Sequence, residues 1–363
     1  MLENKKRFTV FQPLKTIVSL VMTGLAFLSA IPSAVSDEIK VFNAMIYRDM
    51  PNFGTRLVVV YEQHFFKHGL IDGSRLPVDE GIENAVKNAR DTAKFYLERE
   101  EPLSDFVAID IERWHLWPWV TIDEHVEAVR EYASVVDRFI EEGGGPSVCL
   151  YNVFPQGGIS VAGRARTDSA LNEEWLSANR QGMSVLSGSV SAVCPALYTY
   201  YDGAAGQPRL DRIEEWKRYA TDTVELARLI APELPVYSFI WPQFHHGGGI
   251  IDWPYMSEQY WEAQLDHLDT LVDGIILWGG WDMIKNEQQM WDENAKWWQA
   301  VKRRFPEILQ ESDSRVADVT VESINLRSSK EKTDADINTN VDTEVNEIHL
   351  PPFTTPGKPQ IEK

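Results

Sequence analysis

Short apolar runs alternate with long amphipathic stretches from residue 42 to residue 305 of this chain. The runs are Phe42–Tyr47, Leu57–Tyr61, Phe106–Ile111, Ser147–Tyr151, Val193–Tyr198, Pro235–Ile240 and Gly274–Trp278. Each is too short for a helix and suits a strand buried on both faces. Between them, apolar residues recur at helical spacing. Asp79–Arg99 carries Ile82, Val86, Ala89 and Ala93, and Ile122–Glu142 carries Val126, Val129, Tyr132, Val136 and Ile140. Leu210–Ala231 and Ser257–Leu271 repeat the pattern, and Glu287–Phe305 closes it. Such alternation predicts a parallel sheet covered by helices. No Gly-x-Gly-x-x-Gly follows the first run, so a dinucleotide-binding sheet lacks its fingerprint. The reading is α/β: a parallel (β/α) barrel of TIM type, distorted, with seven strands. Its active site is then expected at the C-terminal strand ends.

Those ends carry Tyr47, Tyr61 with Glu62, Asp110 with Glu112, Tyr151, Tyr198, Trp241 and Trp278. The third run stands apart. Phe106–Ile111 is apolar at five of six positions, yet Asp110 and Glu112 lie at its end. Strand side chains alternate, so this pair shares a face with Cα atoms roughly 6.5–7 Å apart. Mutual repulsion favours keeping one of two such acids protonated, a proton donor beside an anion. Glycosidases work with this equipment. Trp114, Trp117 and Trp119 follow directly. Aromatic rings stack on sugar faces, and tyrosine hydroxyls bond sugar substituents. The plain alternative for an Asp-x-Glu is a solvated strand end with two surface acids, which the apolar run and the tryptophans argue against.

Composition narrows the partners. The 363 residues suffice for one large or two average domains, and an apolar content of 44% allows a sizeable core. Thirteen tryptophans suit stacking on flat ligands, although some must be core. A formal charge of −20 argues against nucleic acid, which needs a basic footprint. The N-terminus reads as an export signal: Lys5, Lys6, Arg7 and Lys15 precede an apolar stretch Ile17–Leu28, and Ala34-Val35-Ser36 offers a cleavage site. An uncleaved anchor over Thr16–Val35 is the alternative, with Pro32 against it. We therefore expect a signal peptide over 1–36, a catalytic barrel over 37–310 and a flexible polar tail over 311–363. The expected location is secreted or periplasmic, with no stable membrane insertion after cleavage.

Cys149 and Cys194 are too few for a disulfide framework. We expect buried free thiols, while export permits a bridge. His64 and His68 have the i, i+4 spacing of a metal pair but no Glu between them in the zincin pattern, and read as loop or surface residues. Gln243–Gly249 is either a mobile substrate loop or a surface excursion. Asp202-Gly203 is a turn signal, Asp252 completes no ligand set, and Asp282, beyond the seventh run, is a candidate binding residue. No phosphate loop or nucleophile elbow occurs, and the sequence calls for no cofactor or metal.

The segment Val107-Ala108-Ile109-Asp110-Ile111-Glu112-Arg113-Trp114 resembles the strand motif of family 56 glycoside hydrolases, the hyaluronidases, where an apolar run leads into Asp-x-Glu-x-Trp. Three further strand ends are similar to that family in the same order. They are Leu150-Tyr151-Asn152-Val153-Phe154-Pro155, Pro195-Ala196-Leu197-Tyr198 and Gly274-Ile275-Ile276-Leu277-Trp278-Gly279. The resemblance runs loosely from Phe42 to Phe305 and implies a distorted seven-stranded barrel. It also implies an endo-β-N-acetylhexosaminidase in which the substrate's own 2-acetamido oxygen attacks the anomeric carbon with retention. Glu112 would then be the general acid and later the base for water. Asp110 would orient the acetamide and stabilise the cationic intermediate. Tyr151 and Tyr198 would bond the acetamide or nearby hydroxyls, and Trp278 would wall the acetamide methyl. Trp114, Tyr61 and Trp241 complete the expected substrate contacts, and the partner is a polysaccharide or oligosaccharide. His115-Leu116 stand where the family has Arg-Pro, and the disulfide cysteines of the animal enzymes are missing. These departures leave the glycan open between hyaluronan and another N-acetylhexosamine polymer. Two other readings remain at this point. One is a carbohydrate-binding barrel without activity. The other is a conventional retaining glycosidase with Asp202 or Asp282 as nucleophile.

Overall fold

The computed structural model describes residues 39–65, 79–97, 106–112, 116–156, 165, 167–199, 212–245, 253–282, 284–285 and 287–309. The expected signal segment and tail lie outside these residues, as do Trp114, His68, Asp202, Asp252 and the glycines 247–249. Among the described residues no helix is long and apolar enough to cross a membrane.

The strands are β1 (Lys40–Met45), β2 (Thr55–Arg56), β3 (Val58–Tyr61), β4 (Val107–Asp110), β5 (Val148–Leu150), β6 (Tyr237–Ile240) and β7 (Gly274–Gly279), followed by a hairpin of β8 (Trp281–Asp282) and β9 (Glu287–Gln288). The helices are α1 (Glu62–Phe65), α2 (Asp79–Leu97), α3 (Ile122–Glu141), α4 (Ser169–Leu186), α5 (Ile213–Ile230), α6 (Glu258–Asp269) and α7 (Lys296–Arg304). Parallel pairing runs β3–β4–β5 in one sheet and β2–β1–β7–β6 in the other. The seventh member is the expected strand Val193–Tyr198. It joins β5 and β6 only through bridges, Tyr151 to Cys194, Val193 to Val236 and Ala196 to Phe239. Pro195 explains the interruption, because proline cannot donate to a ladder. The Ala196 N–H donates instead to the side-chain Oδ1 of Asn152 at 3.2 Å. β2 leads within one residue into β3, so the chain joins the two parallel sheets, and the architecture is of the α/β barrel kind with an irregular ladder.

Alternation along the strands sorts their side chains into two cores. Val41, Val58, Val60, Val107, Ile109, Val148, Leu150, Ile240, Ile275 and Leu277 face outward and join the helices in the larger cluster. Phe42, Ala44, Ala108, Cys149, Cys194, Ala196, Tyr198, Phe239, Ile276 and Trp278 face inward. Phe42, Phe106 and Tyr237 fill the N-terminal end of this interior, with ring centroids 4.8–5.4 Å apart.

Helix α3 begins with a capping box, Thr121 and Glu124 each bonding the other's backbone N–H. It ends where Gly143 takes φ +79°, a left-handed stop that glycine adopts freely. Helix α4 is not foreseen by the sequence pattern. Its buried stripe is Trp175, Ala178, Asn179, Gly182, Met183 and Leu186, in which two members are not apolar. The glycine is required by packing, since a Cβ there would lie 2.5 Å from the Phe154 ring. The expected last helix, Glu287–Phe305, is shorter than its pattern: Glu287–Gln288 pairs with Trp281–Asp282, and the helix starts at Lys296.

Cys149 and Cys194 form a disulfide, with Cα atoms 6.1 Å apart, so the expectation of free thiols is corrected. The reason is topological. Both residues point inward from neighbouring strand segments, and the Asn152 N–H donates to the Cys194 carbonyl at 2.9 Å.

Candidate active site

The site starts from β4. Val107 and Ile109 face the helices, and Ala108 faces the interior. Asp110 and Glu112 fall on the interior side by the same alternation. Tyr61 is the register partner of Asp110 across β3. The backbone between the two acids is held from outside: the Tyr132 hydroxyl of α3 donates to the Ile111 carbonyl. The Glu112 N–H donates to Glu62 Oε2 at 3.4 Å. Three carboxylates therefore gather at the ends of β3 and β4.

Their surroundings favour protons. Asp110 Oδ1 is sealed from solvent and has no hydrogen-bond partner among the described residues. Burial, then the charges of Glu112 and Glu62, holds the Asp110 carboxyl well above the usual carboxylate range. Burial and then Glu62 raise Glu112 as well. Burial and the same three acids push the Tyr132 hydroxyl up, so it stays a donor. Among the described residues no salt bridge pairs Asp110 or Glu112 with a cation.

The aromatic wall follows around the interior. Trp278 Nε1 donates to the Tyr61 hydroxyl at 3.1 Å. Tyr198 lies between Tyr151 and Trp278, with centroids 6.1 and 5.9 Å away. Trp241 wedges edge-on against Trp278 at 4.8 Å and donates to Gln243 Oε1 at 3.1 Å. Only 1% of Trp241 is exposed, so it supports the wall and offers no free face. The turn behind Trp278 needs glycine: Gly280 has φ +99°, and a Cβ on it would lie 2.6 Å from the Tyr47 backbone nitrogen.

The structure thus brings Tyr61, Asp110, Glu112, Tyr151, Tyr198, Trp241 and Trp278 to one end of the barrel. Tyr47 belongs elsewhere. It faces the outer core, stacked 5.9 Å from Trp297, with its hydroxyl 2.9 Å from that of Tyr255. Asp282 is occupied by the hairpin turn, accepting from the Ile284 and Lys285 N–H groups. His64 is no plain surface residue. It sits in α1 beside Tyr61, its Nδ1 is sealed without a hydrogen-bond partner among the described residues, and burial lowers its pKa to about 4. Glu62 is the residue that sequence reasoning placed at a strand end without giving it a role. The available signal was its position directly after β3, next to the strand that carries the acid pair.

A pocket of ≈ 270 Å³ opens beside Glu112, with Trp119, Tyr132, Tyr151, Asn152 and Gln156 among its walls. Asn152 holds φ +52°, and its side chain is committed to the Ala196 N–H. Gln156 Nε2 donates to the carbonyls of Asn152 and Val153. The pocket floor is therefore fixed by backbone-directed bonds.

No protein-family model matches the chain, and no curated protein does. Several solved structures can be aligned with part of it. A psychrophilic family 10 endo-β-1,4-xylanase is 10% identical, with a TM-score of 0.38, over 73% of this chain and 96% of that one. A broad-specificity GH5-4 endoglucanase from an uncultured bacterium is 12% identical, with a TM-score of 0.42, over 69% of this chain and 70% of that one. The GH53 catalytic domain of Ignisphaera aggregans is 12% identical, with a TM-score of 0.33, over 69% and 87%. Similarities of this size carry no argument about chemistry, which must be read from the side chains themselves.

Proposed function

We propose that the protein is an exported glycoside hydrolase acting on β-linked N-acetylhexosaminides, with Glu112 as general acid and base and Asp110 as the partner of the substrate acetamide. The observation that carries the reading is the orphaned Asp110 Oδ1, buried beside a second raised carboxyl in an aromatic wall. A buried acceptor without a donor is costly unless something supplies one. An acetamide N–H supplies it. That bond favours the ionised form of Asp110, whose charge helps keep the proton on Glu112, which lines the pocket.

The steps then balance without an enzyme nucleophile. The acetamide oxygen attacks the anomeric carbon as the glycosidic bond breaks, and the Glu112 proton goes to the leaving oxygen. The Asp110 carboxylate stabilises the positive oxazolinium in a dry site. Glu112, now ionised, takes a proton from water, which opens the intermediate with net retention. Tyr61, Tyr151, Tyr198 and Trp278 shape the sugar site in this account, and Trp241 backs Trp278.

The test is cleavage of hyaluronan, chondroitin and chitin oligomers, with the anomer of the fresh product read by NMR. One glycan cleaved with retention supports the reading. Inversion, or cleavage of glycans without an acetamide at equal rate, contradicts acetamide participation. Binding without turnover on every glycan contradicts the enzyme itself.

A further inference from the structure

Trp119 is the anomaly of this molecule. It is 82% exposed, whereas every other described tryptophan is buried or half-buried. An indole left in water forgoes a large hydrophobic gain. Floppiness does not explain it, because its loop is pinned on both sides. Two residues earlier, Trp117 is 2% exposed, its Nε1 donates to Glu174 Oε1 at 3.0 Å, and its backbone N–H donates to His125 Nδ1 at 3.3 Å. Two residues later comes the capping box of α3. The Trp119 N–H itself donates to the Leu116 carbonyl at 3.1 Å. A rigid turn thus holds the ring out into the pocket that Glu112 also lines.

The position of Glu112 gives that pocket a meaning. Asp110 ends β4 two residues before Glu112, and Tyr61, Tyr198 and Trp278 stand at neighbouring strand ends. Trp119, Tyr151, Asn152 and Gln156 line the pocket together with Glu112, and its volume of ≈ 270 Å³ suits one sugar ring. We infer that Trp119 is the stacking platform of a subsite for the leaving-group sugar. The inference rests on the glycosidase reading above and deepens it. A general acid must sit at the oxygen joining two residues. If the sugar being cleaved lies with Asp110, its neighbour on the reducing side lies over Trp119. A chain that continues past the scissile bond is then the preferred substrate, and Trp119 is a specificity-determining residue.

The experiment compares two substrates of one glycan, taken from the hyaluronan and chitin oligomers that the protein cleaves. One is the oligosaccharide. The other is the glycosyl fluoride with the same sugars on the non-reducing side, whose leaving group has no ring to stack. Trp119→Ala is expected to raise KM for the oligosaccharide about tenfold and to leave the fluoride unchanged, with Trp119→Phe restoring most of the loss. Equal effects on both substrates, or none on either, overturn the inference. Glu112→Gln in the same assay must abolish cleavage of the oligosaccharide. If it does not, or if no oligomer is cleaved, the glycosidase reading falls independently of what Trp119 does.

Discussion

Two groups of acids in this chain are treated in opposite ways. Around α6 and α7, acids meet cations: Arg303 pairs with Glu258 and Glu262, Arg304 with Asp266 and Asp269, and Lys302 with Glu293. Glu293 illustrates the result. Burial pushes its carboxyl up, but hydrogen bonds from Lys302, Trp291 and Trp298 outweigh it, and the net direction is downward. At the end of β4, Asp110 and Glu112 are packed against further acid, and both are raised. The first group stabilises a fold. The second group weakens it and is the kind of arrangement that acid–base chemistry requires. Among the described residues the paired cations gather on the surface helices, and none forms a salt bridge with Asp110 or Glu112.

Removing the unpaired acids breaks the comparison most sharply. Glu112→Gln is expected to lower kcat by about 10²–10⁴-fold, the usual worth of a positioned proton donor. Asp110→Asn should cost about 10²–10³-fold through lost stabilisation of charge. Turnover of the cleaved glycan measures both.

The pH profile comes next. Glu62 raises Glu112, so Glu62→Gln lets Glu112 lose its proton at lower pH. The basic limb of kcat against pH should therefore move downward. An unmoved limb would detach Glu62 from the pair.

Stability should run in opposite directions for the two groups. The folded pKa of Asp110 lies above its unfolded value, so its contribution is favourable only at low pH and turns unfavourable as pH rises through the folded pKa. Asp110→Asn should match the parent near about pH 4 and gain about 2–4 °C in Tm toward neutrality, the shift that ~1 kcal/mol gives in a large domain. Glu293 has a lowered pKa, so its contribution is present above the unfolded value and lost as pH falls through the folded one. Glu293→Gln should lose under ~1 kcal/mol at neutral pH, because the Glu293 side chain is about half exposed. Thermal melts across pH check both signs.

The alternation of apolar runs placed six strands to within two residues at either end, because buried parallel strands are written in consecutive apolar residues. It failed where other forces shape the chain. Pro195 breaks the ladder within Val193–Tyr198, and the stripe of α4 hides behind Asn179 and Gly182. The barrel order follows from strand ends alone, which is why Asp110, Tyr151, Tyr198 and Trp278 were legible. Tyr47 was misplaced because, two residues beyond β1, it keeps the outward parity of Met45. Glu62 gained its role only from distance to Glu112. The disulfide depended on two strand segments meeting, a relation that spacing along the chain does not carry.

The most direct measurement is reducing-end release from the N-acetylhexosamine glycans by the purified protein beside Glu112→Gln, with both shown to be folded by their melting curves. The account predicts cleavage of one glycan by the parent and its loss in the variant at unchanged or higher Tm. Equal cleavage by both proteins would contradict it, because the unpaired acids at the end of β4 would then have no part in the chemistry.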